Sequence, residues 1–230
     1  MASEAAPPPP AASAVFGERA ALAEAFAALL TGRGIERGLI GPGEADRIWE
    51  RHLSNCAAMA PAFPVGARVV DVGSGAGLPG LVLAIVRADL SIDLVESLQR
   101  RCDFLVEAVT ELGLTDQVRV VRGRAEAPEV IAEVGSSEWV TARAVAPLDR
   151  LARWCLPLLA PAGSLVALKG SGAEAEVREH RAAIRRLGGS DPVVQHMGIA
   201  EGVEQATVVV VRRLAERDGP AVRSRARGRA

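Results

Sequence analysis

The chain has 230 residues, enough for one domain with a full core and a modest extension, and its formal net charge of −1 excludes a uniformly basic or acidic protein. Cys56, Cys102 and Cys155 are odd in number, far apart and without metal-ligand spacing, so neither a disulfide framework nor a metal site is expected and a reducing compartment fits. No run approaches the roughly 18 apolar residues of a membrane span, and no basic stretch precedes an apolar core near the N-terminus; a soluble, cytoplasmic protein without a membrane partner is expected.

Residues 1–14, with Pro7 to Pro10 consecutive, are too polar and proline-bound to pack a core and read as disordered. Val15, Phe16, Leu22, Phe26, Leu29 and Leu30 then recur near helical spacing, and a glycine-broken linker runs from Gly32 to Gly43. A second helix is expected from Glu44 to Ala60, ended by Pro61. Residues 15–62 thus form a helical extension, a cap outside the nucleotide-binding domain expected over 63–212.

That domain opens with R-V-V-D-V-G-S-G-A-G-L-P-G at 68–80: an apolar strand, a turn with Gly73, Gly75 and Gly77 at alternate positions, and an apolar helix from Leu81 to Val86. Glycines so spaced permit positive φ and close approach of a ligand to the main chain, so the turn reads as a cofactor cradle. Gly75, Gly77 and Gly80 formally satisfy the dinucleotide pattern G-x-G-x-x-G. Asp71, on the strand itself, opposes a pyrophosphate and suits a cationic ligand such as S-adenosylmethionine, which carries an ammonium and a sulfonium. Glu96 ends the next apolar run and can accept ribose hydroxyls, as acids do at the second strand of nucleotide-binding sheets.

Beyond the cradle, apolar strand candidates at 91–96, 118–122, 138–142, 164–169, 192–197 and 206–212 alternate with helical ones at 98–112, 128–134, 148–160 and 173–187. The pattern predicts an α/β fold: a mostly parallel Rossmann-like sheet with an antiparallel late strand and helices on both faces. Ligands bind beyond the C-terminal strand ends, which singles out Gly73 to Leu78, Glu96, Arg124 to Glu126, Arg143 and Lys169. Lys169 is the one lysine among 27 basic residues, a compact ammonium where the composition favours arginine, and an RNA phosphate is its expected partner. His52 is the histidine placed to reach over the site. From Arg212 onward seven arginines face two acids, so residues 213–230 read as a basic, disordered tail suited to a polyanion.

D-V-G-S-G-A-G-L-P-G at 71–80, R-A-E at 124–126, T-A-R-A-V-A-P-L at 141–148 and A-L-K-G at 167–170 together resemble the bacterial glucose-inhibited division protein B family, 16S ribosomal RNA guanine-N7 methyltransferases; W-E-R-H-L-S-N-C at 49–56 is similar to its actinobacterial form. The resemblance covers about residues 15–212. It implies a class I S-adenosylmethionine-dependent fold and places Gly73, Leu78, Ala125, Glu126 and Arg143 on cofactor-binding positions, beside Asp71, Gly75, Gly77 and Glu96 from the residue reading. The implied partner is 16S ribosomal RNA or a small-subunit precursor, the target a guanine of the decoding-region loop, and a monomer is favoured. Arg143 suits either the cofactor carboxylate or an RNA phosphate. Leu30-Thr31-Gly32 departs from the family's Asn-Leu-Thr pattern, and the tail lacks the Lys- and Pro-rich pattern of many relatives.

Guanine N7 presents its own in-plane lone pair, so Arg143 and Lys169 are expected to position RNA without a general base, with His52 as a further candidate. The alternatives are an NAD-dependent oxidoreductase, suggested by the glycine pattern, and a noncatalytic RNA-binding protein. Seven aromatic residues with no tyrosine argue against binding by base stacking alone.

Overall fold

The alternating apolar runs form a seven-stranded sheet in the computed structural model, which describes residues 8–9, 11–143, 146–199 and 205–215. The strands are β1 (Arg68–Val72), β2 (Ser91–Glu96), β3 (Val118–Arg122), β4 (Ser137–Arg143), β5 (Leu159–Lys169), β6 (Val193–Met197) and β7 (Ala206–Arg212), in the order β3-β2-β1-β4-β5-β7-β6. Pairs β1–β2, β2–β3, β1–β4 and β4–β5 are parallel; β7 runs antiparallel to both β5 and β6. The chain winds outward from β1 to β3 and then restarts at β4 on the other side of β1. This reversal leaves a crevice at the C-terminal ends of β1 and β4, the natural ligand position in such sheets.

Because successive strand residues face opposite sides, the sheet builds two cores. Val70, Val72, Val95, Val140, Leu165 and Ala167 meet helices α6 (Pro128–Val134), α7 (Leu148–Cys155) and α8 (Ala173–Arg186) on one face. On the other face, Val69, Ile92, Leu94, Val166, Leu168 and Val208 share a core with α4 (Gly80–Val86), α5 (Gln99–Glu111) and the whole N-terminal segment. That segment comprises α1 (Ala11–Phe16), α2 (Ala20–Leu29) and α3 (Asn55–Ala57), joined by tighter and wider helical turns.

The extension shares the core of this sheet face. Phe16, Phe26, Leu30, Ile48, Leu53 and Met59 are buried in the same cluster as the sheet, and Arg19 Nη1 donates to Ala84 O of α4 at 3.2 Å. Helix α1 also begins inside the stretch expected to be disordered, with Ala12 buried; residues 1–7, 10 and 216–230 lie outside the described residues. The chain does not break at Gly32 either. It continues as a π-helical turn over Leu30–Gly34, where the Thr31 hydroxyl donates to Ala27 O at 3.0 Å.

The second expected helix is three segments: a 3₁₀ turn Pro42–Arg47, a π-helical stretch Ile48–Ser54 and α3. Pro61 does not end the path but sits in a 3₁₀ turn, Ala60–Ala62, at a position needing no backbone donor. Helix α7 stops at Cys155, and β5 begins at Leu159 rather than 164, passing a register shift and a positive φ of 65° at Ala162.

Candidate active site

Strand β1 ends in the glycine turn, and Gly73, Gly75 and Gly77 all have positive φ, at 71°, 58° and 91°. Gly77 could not carry a side chain: a Cβ there would lie 2.5 Å from Leu81 Cδ1. Gly80, the first residue of α4, is equally constrained by packing, since a Cβ would stand 2.3 Å from Leu94 Cδ2 and 2.7 Å from Asp71 Oδ2. This closeness lets Gly80 N donate to Asp71 Oδ2 at 3.1 Å, so Asp71 caps the helix from below.

Asp71 is fully buried, and its other oxygen, Oδ1, has no hydrogen-bond partner. Burial pushes its pKa up to about 7; hydrogen bonding by Ser74 and Gly80 opposes that rise, the charge of Glu96 adds to it and that of Arg143 reduces it. A buried carboxylate with an unused acceptor stands ready for a cation or a strong donor.

Glu96, 3% exposed, lies across the turn from Asp71. Its Oε2 accepts from Gly75 N at 3.0 Å, and its Oε1 from Ser97 N and Leu98 N at 2.8 and 2.9 Å. These three amides orient the carboxylate, and Arg101 Nη1 at 3.5 Å from Oε2 and Ser97 Oγ at 3.4 Å from Oε1 add longer contacts. A cavity of about 200 Å³ opens here, lined among others by Gly73, Glu96, Gly123, Ala125, Glu126 and Trp154. Leu78 is buried in the turn beside it. Gly123 and Trp154 were not anticipated: Gly123 bonds through its N to Glu96 O at 2.9 Å, and Trp154 arrives from α7, whose facing cannot be read without the fold.

Arg143, at the end of β4, turns toward the N-terminal segment. Its Nη2 lies 2.7 Å from His52 Nδ1 and 3.4 Å from Arg51 O, and its Nη1 lies 3.8 Å from Cys56 Sγ. His52 Nε2 in turn lies 2.7 Å from Glu44 Oε2. Cys56 is buried and its thiol is pushed up to about 12, mainly by burial, so it stays neutral. Glu44 was missed in the sequence, although an acid eight residues before a histidine falls on the same helical face.

Lys169, expected to meet an RNA phosphate, has internal partners. Its side chain is 7% exposed, and Nζ donates to Glu176 Oε1 at 2.8 Å and to Ala146 O at 3.0 Å. Burial and two acceptors commit the ammonium internally, tying the segment after β4 to β5 and α8. The structure thus brings Asp71, Gly73, Gly75, Gly77, Leu78, Glu96, Ala125 and Glu126 around one turn and cavity, sets Arg143 and His52 against each other, and holds Lys169 apart as a clamp. Among the described residues no group of three metal-ligating side chains occurs.

The family model described as rRNA small subunit methyltransferase G matches residues 19–205. The chain belongs to this family. It is 56% identical over 236 residues to the ribosomal RNA small subunit methyltransferase G of Salinispora tropica, covering 97% of each chain. It is 53% identical to the Streptomyces avermitilis protein of that name, covering 92% of this chain and 87% of that one. Among solved structures, the S-adenosylmethionine-dependent methyltransferase SibL in its apo form superposes with a TM-score of 0.56 at 18% identity, over 83% of this chain and 62% of that one. The O-methyltransferase NcsB1, in complex with S-adenosylmethionine, gives 0.53 at 15% identity, over 79% and 60%. These likenesses support the class I methyltransferase fold, and the family membership removes the basis for the nicotinamide alternative.

Proposed function

We propose that the protein transfers a methyl group from S-adenosylmethionine to N7 of a guanine in 16S ribosomal RNA, in the decoding-region loop. The observation that carries the reading is the buried, unpaired Oδ1 of Asp71 beneath the glycine turn, 0% exposed and next to an amide-oriented Glu96. That donor set fits a ligand with an ammonium and a ribose: Asp71 faces the positive end, Gly73 to Gly77 give the main chain close access, and Glu96 accepts hydroxyls. Ala125 and Glu126, lining the cavity beyond β3, suit an adenine edge. When bound, S-adenosylmethionine supplies the electrophilic methyl group.

Guanine N7 needs no deprotonation, so the task of the chain is alignment, exclusion of water and tolerance of positive charge on the purine. Arg143 lies where the base enters, at the end of β4. The arginine-rich tail adds RNA affinity through phosphate charge. The domain division follows: residues 63–212 carry the chemistry, and 15–62 cover one sheet face and reach Arg143. Among the described residues no helix is long and apolar enough to cross a membrane.

Mapping N7-methylguanosine in small-subunit ribosomal RNA from cells with and without the protein tests the reading; an unchanged map refutes it. Parallel calorimetry with S-adenosylmethionine and NAD tests the cofactor, with binding of the former alone expected.

A further inference from the structure

The contact between Arg143 and His52 fixes where the imidazole protons are. A guanidinium has donors only, so at 2.7 Å from Arg143 Nη2 the His52 Nδ1 must carry a lone pair. The ring proton is then on Nε2, which points at Glu44 Oε2 from 2.7 Å. We propose that His52 is a positioning residue: as the neutral Nε2–H tautomer fixed by Glu44, it holds the Arg143 guanidinium at the end of β4, and its protonation releases that guanidinium. The inference deepens the methyl-transfer reading and rests on it.

Three observations support this role over that of a general base. The only lone pair on the ring is taken by Arg143, so none is free to receive a proton from a substrate. The other anchors of Arg143, Arg51 O at 3.4 Å and Cys56 Sγ at 3.8 Å, are long, which makes His52 the short contact that sets the guanidinium's place. Protonating Nδ1 would set two donors and two positive charges face to face at 2.7 Å, and the pair must then separate.

The surrounding charges are few. His52 is 7% exposed; burial lowers its pKa first, Arg143 lowers it further, Glu44 raises it and Arg51 lowers it again. Glu44 also feels Arg51 and Arg47, and Arg143 feels Asp71 on β1 and the neutral thiol of Cys56. The neutral ring is therefore the form present at neutral pH, and release falls on the acid side of the ordinary histidine range.

Nitrogen-15 NMR of the histidine rings in the full chain reads the arrangement directly, since His52 shares the chain with only His180 and His196. The expected result is an Nε2–H tautomer for His52, titrating at higher pH in Arg143→Gln and at lower pH in Glu44→Gln. Single-turnover methylation of small-subunit ribosomal RNA at saturating cofactor should show an acid limb that follows the His52 titration and moves to lower pH in Glu44→Gln. His52→Ala should slow the step at neutral pH by about tenfold or more, whereas His52→Asn, whose Oδ1 replaces the Nδ1 acceptor, should stay within about fivefold of wild type and lose the acid limb. An Nδ1–H tautomer, a His52 titration indifferent to Arg143→Gln, or an acid limb unchanged in His52→Asn would overturn the proposal. If the wild type leaves the RNA unmethylated, the methyl-transfer reading fails, and the NMR results alone decide the His52–Arg143 arrangement.

Discussion

The buried Asp71 makes stability depend on pH, and under the proposed function it should make cofactor affinity depend on pH as well. Its pKa rises from an ordinary 3.8 to about 7 because the carboxylate is buried with one oxygen unpaired. A folded-state value above the unfolded one means that the folded chain holds a proton there between the two. The associated stability is fully present below 3.8 and lost as pH rises through about 7, a difference of about 4 kcal/mol at about 1.4 kcal/mol per unit. A cation beside Oδ1 favours the ionised form, so S-adenosylmethionine should bind the deprotonated site and release a proton. Between pH 5.5 and 7.5 the affinity should rise by up to about 25-fold, the ratio of ionised fractions for a group titrating near 7. Toward the top of that window the rise flattens, because an α-amino group with a pKa of about 7.7 to 8.0 is itself losing charge there. Asp71→Asn keeps an acceptor for Gly80 N but offers no charge. It should flatten the rise, weaken binding at pH 7.5 by about 1.5 to 3 kcal/mol, the scale of a hydrogen bond to a charged group, and raise the melting temperature of the free protein above pH 7. Calorimetry in buffers of different ionisation enthalpy counts the proton released. An affinity equally steep in wild type and Asp71→Asn would refute the assignment of the charge to this residue.

Glu96→Ala removes the acceptor of the Gly75, Ser97 and Leu98 amides and should cost cofactor binding about 1.5 to 3 kcal/mol, measured by calorimetry; full affinity would show that Glu96 only shapes the turn. Gly80→Ala forces a methyl group to 2.3 Å from Leu94 Cδ2 and should destabilise the fold by about 1 to 3 kcal/mol in denaturant titration, with weaker cofactor binding because Asp71 must shift. Lys169→Met should lower stability by about 1 to 3 kcal/mol through the stranded Glu176 and Ala146 acceptors, yet leave the salt dependence of RNA affinity intact; a flatter salt dependence would restore the phosphate contact.

The centre of the fold was legible because local and global signals agree there. Strands 91–96, 118–122 and 206–212 and helix 128–134 lie where their apolar runs and breakers put them, and Asp71, the glycines and Glu96 converge because a strand–turn–helix leaves little freedom. The N-terminal segment was not legible. Gly32 looks like a break, but packing of Leu30 and Gly34 and the Thr31 back-bond carry the helix through it. The kink in β5 rests on Ala162, a residue type that does not announce a positive φ. The internal partner of Lys169, Glu176, was not legible, because it sits seven residues on, across a turn whose path the sequence does not specify. The His52–Arg143 pair spans 91 positions, so only the sheet's strand order brings it together.

The single lysine also makes the chain unusual as a chemical substrate. Amine-directed reagents have only Nζ of Lys169 and the α-amino group to attack, and Nζ is 7% exposed and held by Glu176 and Ala146. An ion-paired ammonium has no lone pair to offer, so its acylation must wait for the corner between β5 and α8 to open. The rate of labelling at Lys169 therefore clocks that opening, and slower labelling when RNA or cofactor is added would report their grip on the corner without any engineered probe.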